Sequence, residues 1–182
     1  QLPITQPPGV ETYVIKKEAV TDPAQIATLT NAEKASSINY VDGLGRPIQS
    51  IVAAGSPNGK DIVSFAKYDL YGRQPKQYLP FEAATSTGAY NAMSTVETDQ
   101  VSFYNPLNAA AKKIAKDNGP FYAESSFESS PLGRVLTTGG VGDGFQLNQH
   151  YKTLNNRNNS AADNVLKWTL GSNAATTSGT TV

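Results

Sequence analysis

Two short stretches decide how this chain is read: Tyr40-Val41-Asp42-Gly43-Leu44-Gly45-Arg46 and Tyr68-Asp69-Leu70-Tyr71-Gly72-Arg73. Both contain Asp-x-x-Gly-Arg. An aspartate bonds its own local backbone and a glycine supplies positive φ, so the shared spacing marks a tight turn. The flanks are apolar and β-rich, at 37–41 and 47–53 around the first copy and at 61–68 and 74–79 around the second. Each set reads as a β-hairpin. A degenerate third copy, Phe127-Glu128-Ser129-Ser130-Pro131-Leu132-Gly133-Arg134, has Glu in place of Asp and two inserted residues. Strand-like segments at 121–126 and 134–138 flank it. Self-similarity of this kind indicates repeated hairpins in one sheet system.

The motif assigns structural roles. Asp42 and Asp69 order the turns, and Gly45 and Gly72 take the left-handed conformation. Arg46 and Arg73 are expected to bridge to acidic residues on neighbouring hairpins, and Tyr40 and Tyr68 to pack across strands. Gly133 and Arg134 repeat the pattern. Catalytic residues have no reason to recur with turns, whereas scaffolding residues do.

Outside the motif, 10–20 alternates polar and apolar residues and reads as a strand. Asp22-Pro23 has the form of a helix start, with Asp22 as cap and Pro23 in the first turn. Ser94-Thr95-Val96-Glu97 has the capping-box pattern. Phe103, Leu107, Ala110 and Ile114 recur at helical spacing, and Asn105-Pro106 suits a fresh start. Lys112, Lys113 and Lys116 favour a helix C-terminus, and Asn118-Gly119-Pro120 is a stop. This predicts two short helices within 94–117. Strands return at 145–154 and 164–170, flanking an Asn-rich turn. Gly139-Gly140-Val141-Gly142-Asp143-Gly144 reads as a flexible link. The fold class expected is mainly β, with antiparallel sheets of hairpins and a short helical insertion at about 94–117. The organisation expected is an extended lead-in with a strand at 1–35, a β-rich domain at 36–170, and a loop at 171–182. The start without Met suggests a processed or trimmed end, and the Gly/Ser/Thr-rich finish suggests a boundary inside a larger architecture.

Composition narrows the function classes. Charged residues are 16% of the 182, and Lys+Arg equal Asp+Glu at 15 each. Soluble domains carry roughly 25% charged residues, so the polar surface here rests on Asn, Gln, Ser and Thr. A balanced charge gives no long-range attraction to nucleic acid or anionic lipid. No apolar run approaches the ~18 residues of a membrane span. Cysteine is absent and His150 is the single histidine. A thiolate or multi-histidine zinc site is thereby excluded, and there is no Gly-x-Ser-x-Gly elbow. In a strand, His150 reads as a packing residue. Glu124, Glu128, Asp61 and Asp69 fit turns and strand faces, without a pair suited to glycoside hydrolysis. The Gly139–144 run lacks the Lys-Ser/Thr of a P-loop and the acidic ladder of a calcium loop. Trp168 with Tyr151 has the chemistry to stack a sugar, but a lone strand Trp is more often core. Asn158-Asn159-Ser160 matches a glycosylation sequon of low specificity. No cofactor and no enzymatic activity are expected.

Four motifs in order carry a resemblance: YVDGLGRPIQS at 40–50, KDIVSFAKYDLYGR at 60–73, YLPF at 78–81 and ESSPLGRVL at 128–136. Tyr-Asp-x-x-Gly-Arg is the core of the YD repeat of Rhs-type proteins. The ordered set resembles the domain of unknown function that precedes such repeats in proteins of bacteria using the type IX export route. The resemblance spans roughly 36–170. It implies a secreted or cell-surface parent in which hairpins wind into a β-shell around a toxin, with this segment as a structural piece or cap. The partners implied are downstream repeats of the same protein; the alternative is a protein- or glycan-interaction module in an outer-surface secretion or gliding-motility complex. Neither nucleic acid nor direct membrane insertion is implied. The chain departs from the pattern in having only two or three motif copies and a helical insertion.

Overall fold

Alternation along the chain builds the larger sheet. In β2 (Lys34–Val41) Ile38 and Tyr40 are buried and Asn39 between them is exposed. β3 (Pro47–Ala53) buries Gln49 and Ile51, and β4 (Ile62–Phe65) buries Val63 and Phe65. This period of two is that of a sheet with one covered face. The computed structural model describes residues 6–105, 119–149, 151–153, 166–170 and 177–181. With β1 (Gly9–Ile15) and β6 (Phe81–Glu82) these strands form a five-stranded antiparallel sheet of order β1-β2-β3-β4-β6. A second antiparallel sheet has the order β5-β7-β8-β9, from β5 (Lys76–Tyr78), β7 (Tyr122–Phe127), β8 (Val135–Gly139) and β9 (Tyr151–Thr153). β10 (Leu166–Leu170) pairs with β11 (Thr177–Thr181). The chain is mainly β, as its patterning predicts.

The helical insertion contains α1 (Val96–Tyr104). Val96 and Gln100, one helical turn apart, face inward. Val96 joins Ile38, Tyr40, Ile51, Val63, Phe65, Phe81 and Ala83 in the core. Gln100 is buried, and its Nε2 donates to the carbonyls of Leu79 and Phe121, at 2.6 and 3.2 Å. It thus ties the helix to the entries of both sheets. Rings complete the junction: Phe65 of β4 stacks on Tyr78 of β5 at 4.2 Å, and Tyr78 meets Tyr122 of β7 edge-on at 5.4 Å.

Several expectations need correction. The 61–68 and 74–79 segments do not form a hairpin. β4 pairs with β3 and β6, while β5 pairs with β7, so the second turn carries the chain from one sheet to the other. The local turn is as expected, but its spacing cannot say which edges its strands will join. The Ser94–Glu97 capping box does not form. Thr95 is the cap residue and makes no side-chain cap bond. Glu97 instead accepts a short bond from the Tyr78 hydroxyl and pairs with Lys67 at 3.2 Å. The Asp22 cap does form: Asp22 accepts from Ala24 N–H, and Gln25 accepts from Asp22 N–H, starting the 3-10 helix Pro23–Thr28.

The Gly139–144 run is packed, not a free link. A Cβ on Gly139 would lie 2.9 Å from the backbone of Phe145 and Leu147. Buried Gln146 donates to the Tyr122 and Gly140 carbonyls. Within 145–154 the described strand is β9 alone, paired with β8, and 143–145 is a 3-10 turn. β10 does not pair with that segment but with β11, which occupies part of the expected terminal loop. The second predicted helix, His150 and the Asn-rich turn lie outside the described residues.

Candidate functional site

The three motif turns neighbour one another in chain order, the first two share one bonding scheme and the third varies it. In the first, Asp42 N–H donates to Arg46 C=O and Gly45 N–H to Asp42 C=O, both at 2.9 Å. Asp42 Oδ1 accepts from the N–H groups of Leu44 and Arg46, each at 2.9 Å. Its Oδ2 takes Arg46 Nε at 2.7 Å. The second turn repeats this. Asp69 Oδ1 accepts from Tyr71 and Arg73 N–H at 2.9 Å, and Oδ2 from Arg73 Nε at 2.8 Å. Gly45 and Gly72 have φ of +78° and +77°, the left-handed conformation the motif required. The arginines therefore pair with their own aspartates, not with acids on neighbouring turns as the spacing had suggested.

The third turn divides one aspartate's work between two residues. Gly133, with φ +57°, donates its N–H to Ser130 C=O at 3.0 Å. Ser130 Oγ accepts from Leu132 N–H at 3.3 Å and donates to Glu128 Oε1 at 2.6 Å. Glu128 Oε1 also takes Arg134 N–H and Nε, at 3.2 and 3.0 Å. Ser130 thus occupies the aspartate position of Ser-x-x-Gly-Arg, and Glu128 reaches past the two extra residues to the arginine. The sequence reading missed Ser130, although a hydroxyl can make the same turn bond more weakly.

Arg46 and Arg73 each then reach the next turn. The Arg46 guanidinium lies over the Tyr68 ring at 4.3 Å, and a Cβ at Gly72 would be 3.1 Å from its Nη1. Arg73 lies over the Phe127 ring at 4.7 Å, its Nη1 donates to Glu128 C=O at 3.3 Å, and a Cβ at Gly133 would be 3.4 Å from its Cδ. Tyr68 and Phe127 both immediately precede the acid of their turn. The result is a ladder in which each arginine closes its own turn and covers the ring and glycine of the next.

Tyr40 does not belong to this ladder. It stands two residues before Asp42, on the other face of its strand, so it is buried and meets Tyr90 edge-on at 5.2 Å. Its hydroxyl donates to Gly88 C=O and accepts from Gln6. Tyr68 likewise has a guanidinium over its ring where a cross-strand ring was expected. Its hydroxyl donates to Pro47 C=O and accepts from Gln74.

The electrostatics fit carboxylates fixed as anions. Backbone bonding from Arg46, ahead of the guanidinium, lowers the Asp42 pKa. At Asp69 desolvation pulls upward but is outweighed by the Arg73 N–H and guanidinium. The Ser130 hydroxyl, then Arg134, pulls Glu128 down to about 2. Such carboxylates are poor bases at neutral pH. Among the described residues no three His, Cys, Asp or Glu side chains gather as a metal site, and no helix is long and apolar enough to cross a membrane. The turn tips expose apolar side chains instead: Leu44, Leu70, Tyr71 and Leu132.

No curated protein and no solved structure matches the chain. The profile of one family, DUF6443, described as a domain of unknown function, matches residues 12–158, which is most of the chain. With its repeated turns lying inside the matched region, this chain belongs to the DUF6443 family.

Proposed function

We propose that this chain is a non-enzymatic structural segment of a secreted or cell-surface Rhs/YD-repeat protein, contributing to a β-shell or its cap for toxin or effector delivery. The observation that carries the reading is the ladder Arg46–Tyr68, Arg73–Phe127. Its polar groups are committed to one another and to backbone, which serves rigidity and register, not turnover. The YD motif at Tyr68–Arg73 supports Rhs parentage, and the order of the four motifs supports a parent exported by the type IX route. Neighbouring repeats would then be the principal partners, because an open sheet gains stability when its edge is paired. The test is a thermal melt of this chain alone and joined to the sequence that follows it in its parent. A higher melting temperature for the joined protein is expected. Equal melting temperatures, together with hydrolysis of a polysaccharide or peptide that a Glu128→Gln or Asp61→Asn change abolishes, would overturn the reading.

A second reading, an interaction module in an outer-surface secretion or motility complex, is favoured by the exposed tips. Leu44, Tyr71 and Leu132 occupy the same position, directly before the turn glycine, and all are exposed. Recurrent exposed apolar residues on neighbouring turns suit a protein contact. Substituting Leu44 and Leu132 with Ser should leave the melting temperature unchanged and weaken any such contact in pull-down from the parent cell's outer-surface fraction. Unchanged capture would remove this reading.

A further inference from the structure

Sheet edges are usually interrupted, because a row of free N–H and C=O groups invites another strand. Among the described residues the other edges of the two larger sheets are short: β6 has two residues, and β5 and β9 have three each. β1 differs. It runs for seven residues, contains no proline, and pairs with β2 residue for residue without a bulge. Lys16 N–H donates to Glu33 C=O, and Val41 N–H to Pro8 C=O. In an antiparallel ladder the N–H and C=O of one residue point the same way and alternate along the strand. The even-numbered residues of β1 therefore face β2, and Gly9, Glu11, Tyr13 and Ile15 aim their backbone groups outward. Val10 and Val14 stand on the sheet's outer face, opposite Asn39 and Ala35, and are 64% and 62% exposed.

We propose that β1 is a dimerisation edge: it pairs antiparallel with β1 of a second copy about a twofold axis through Thr12, joining the two sheets into one. The inference rests on the edge itself and is independent of the function proposed above. A twofold axis perpendicular to the sheet sets residues of the same parity opposite each other, and the registers that keep most of β1 paired centre on Glu11, Thr12 or Tyr13. Centring on Glu11 places two carboxylates directly opposite, which destabilises a ladder. Centring on Tyr13 sets Glu11 against Ile15 and Val10 against Lys16. Centring on Thr12 sets Val10 against Val14, Glu11 against Tyr13 and Gly9 against Ile15. In that register every outward N–H meets an outward C=O, and the exposed valines of both copies cover one another. The strand is complementary to itself, which is why the occupant is a second copy.

Light scattering and sedimentation equilibrium on the chain should give twice its 19.3 kDa mass. V10K with V14K sets like charges opposite across the edge and should weaken the dimer at least tenfold. V10E with V14K sets opposite charges there and should restore it. Both sites are exposed, and circular dichroism melts will show that each variant folds. The chain has no native cysteine, so T12C offers a second readout. Thr12 faces its own copy across a non-hydrogen-bonded pair, with Cα atoms about 4.5 Å apart, within disulfide range. T12C should cross-link faster than Y13C. A monomer at every concentration, or a dimer to which the two charge variants respond alike, or faster linking of Y13C, overturns the proposal.

Discussion

The guanidinium of Arg46 sits 4.3 Å over the ring of Tyr68 while its Nε stays bonded to Asp42. One side chain closes one turn and caps the next. A double-mutant cycle with Arg46→Ala and Tyr68→Ala should return a coupling of about 0.5–1 kcal/mol, the size of a partly exposed cation–π contact. Urea unfolding measures it. Additive losses would mean that the stack contributes nothing.

Gly45 and Gly72 share a positive φ but differ in surroundings. A Cβ at Gly45 meets nothing within 4 Å, whereas one at Gly72 meets Arg46 Nη1 at 3.1 Å. Gly45→Val should cost about 1–2 kcal/mol through backbone strain alone. Gly72→Val should cost at least as much, and should also disturb the Arg46–Tyr68 stack. An unchanged unfolding midpoint for Gly72→Val would show that the turn carries no strain penalty.

Ser130 stands where the other turns hold aspartate. Ser130→Ala leaves Leu132 N–H without its partner and takes one bond from Glu128. A loss of about 0.5–1.5 kcal/mol is expected. Hydrogen exchange should quicken at Leu132 and not at Leu44 or Tyr71.

Stability should fall in acid. The folded pKa values of Asp42, Asp69 and Glu128 are depressed, so their contribution is complete above the ordinary carboxylate range. It is lost as pH falls through the folded values, that of Glu128 being about 2. The window runs from about pH 5 to about pH 2. Glu33, also held at about 2 by Lys17 and Thr30, titrates in the same window. Glu128→Gln should flatten the melting-temperature profile between these limits, and an unaltered profile would show that the turn carboxylate is not linked to folding.

Asp61 is fully buried and accepts from Ala54 N–H at 2.9 Å, Thr85 Oγ1 at 2.8 Å and Gly88 N–H at 2.9 Å. It pins the loop after β6 to the end of β3. Asp61→Ala orphans two backbone donors, at about 1–3 kcal/mol each when they stay buried. It should be among the most damaging single changes in the chain, read as a loss of urea midpoint far larger than that of Glu124→Ala.

What the sequence determined by itself was local. Asp42, Gly45 and Arg46 act within five residues of one another, and so do Asp69, Gly72 and Arg73, so bonding and φ followed from residue type. Asp22-Pro23 was legible for the same reason, as were the period-two strands around Ile38 and Ile51. Partner choice came from the tertiary structure. The 69–73 turn is locally like the 42–46 turn, but β5 finds its neighbour in β7, where the Tyr78 ring stacks on Phe65 and meets Tyr122 edge-on. Glu97 is bonded instead to the Tyr78 hydroxyl and to Lys67, partners far from it along the chain and so invisible to a local capping pattern. Tyr40 turned inward because one residue of offset reverses the face of a strand. The ladder from Arg46 to Tyr68 and from Arg73 to Phe127 depends on how far turns separated along the chain approach in space, a distance that local spacing does not encode.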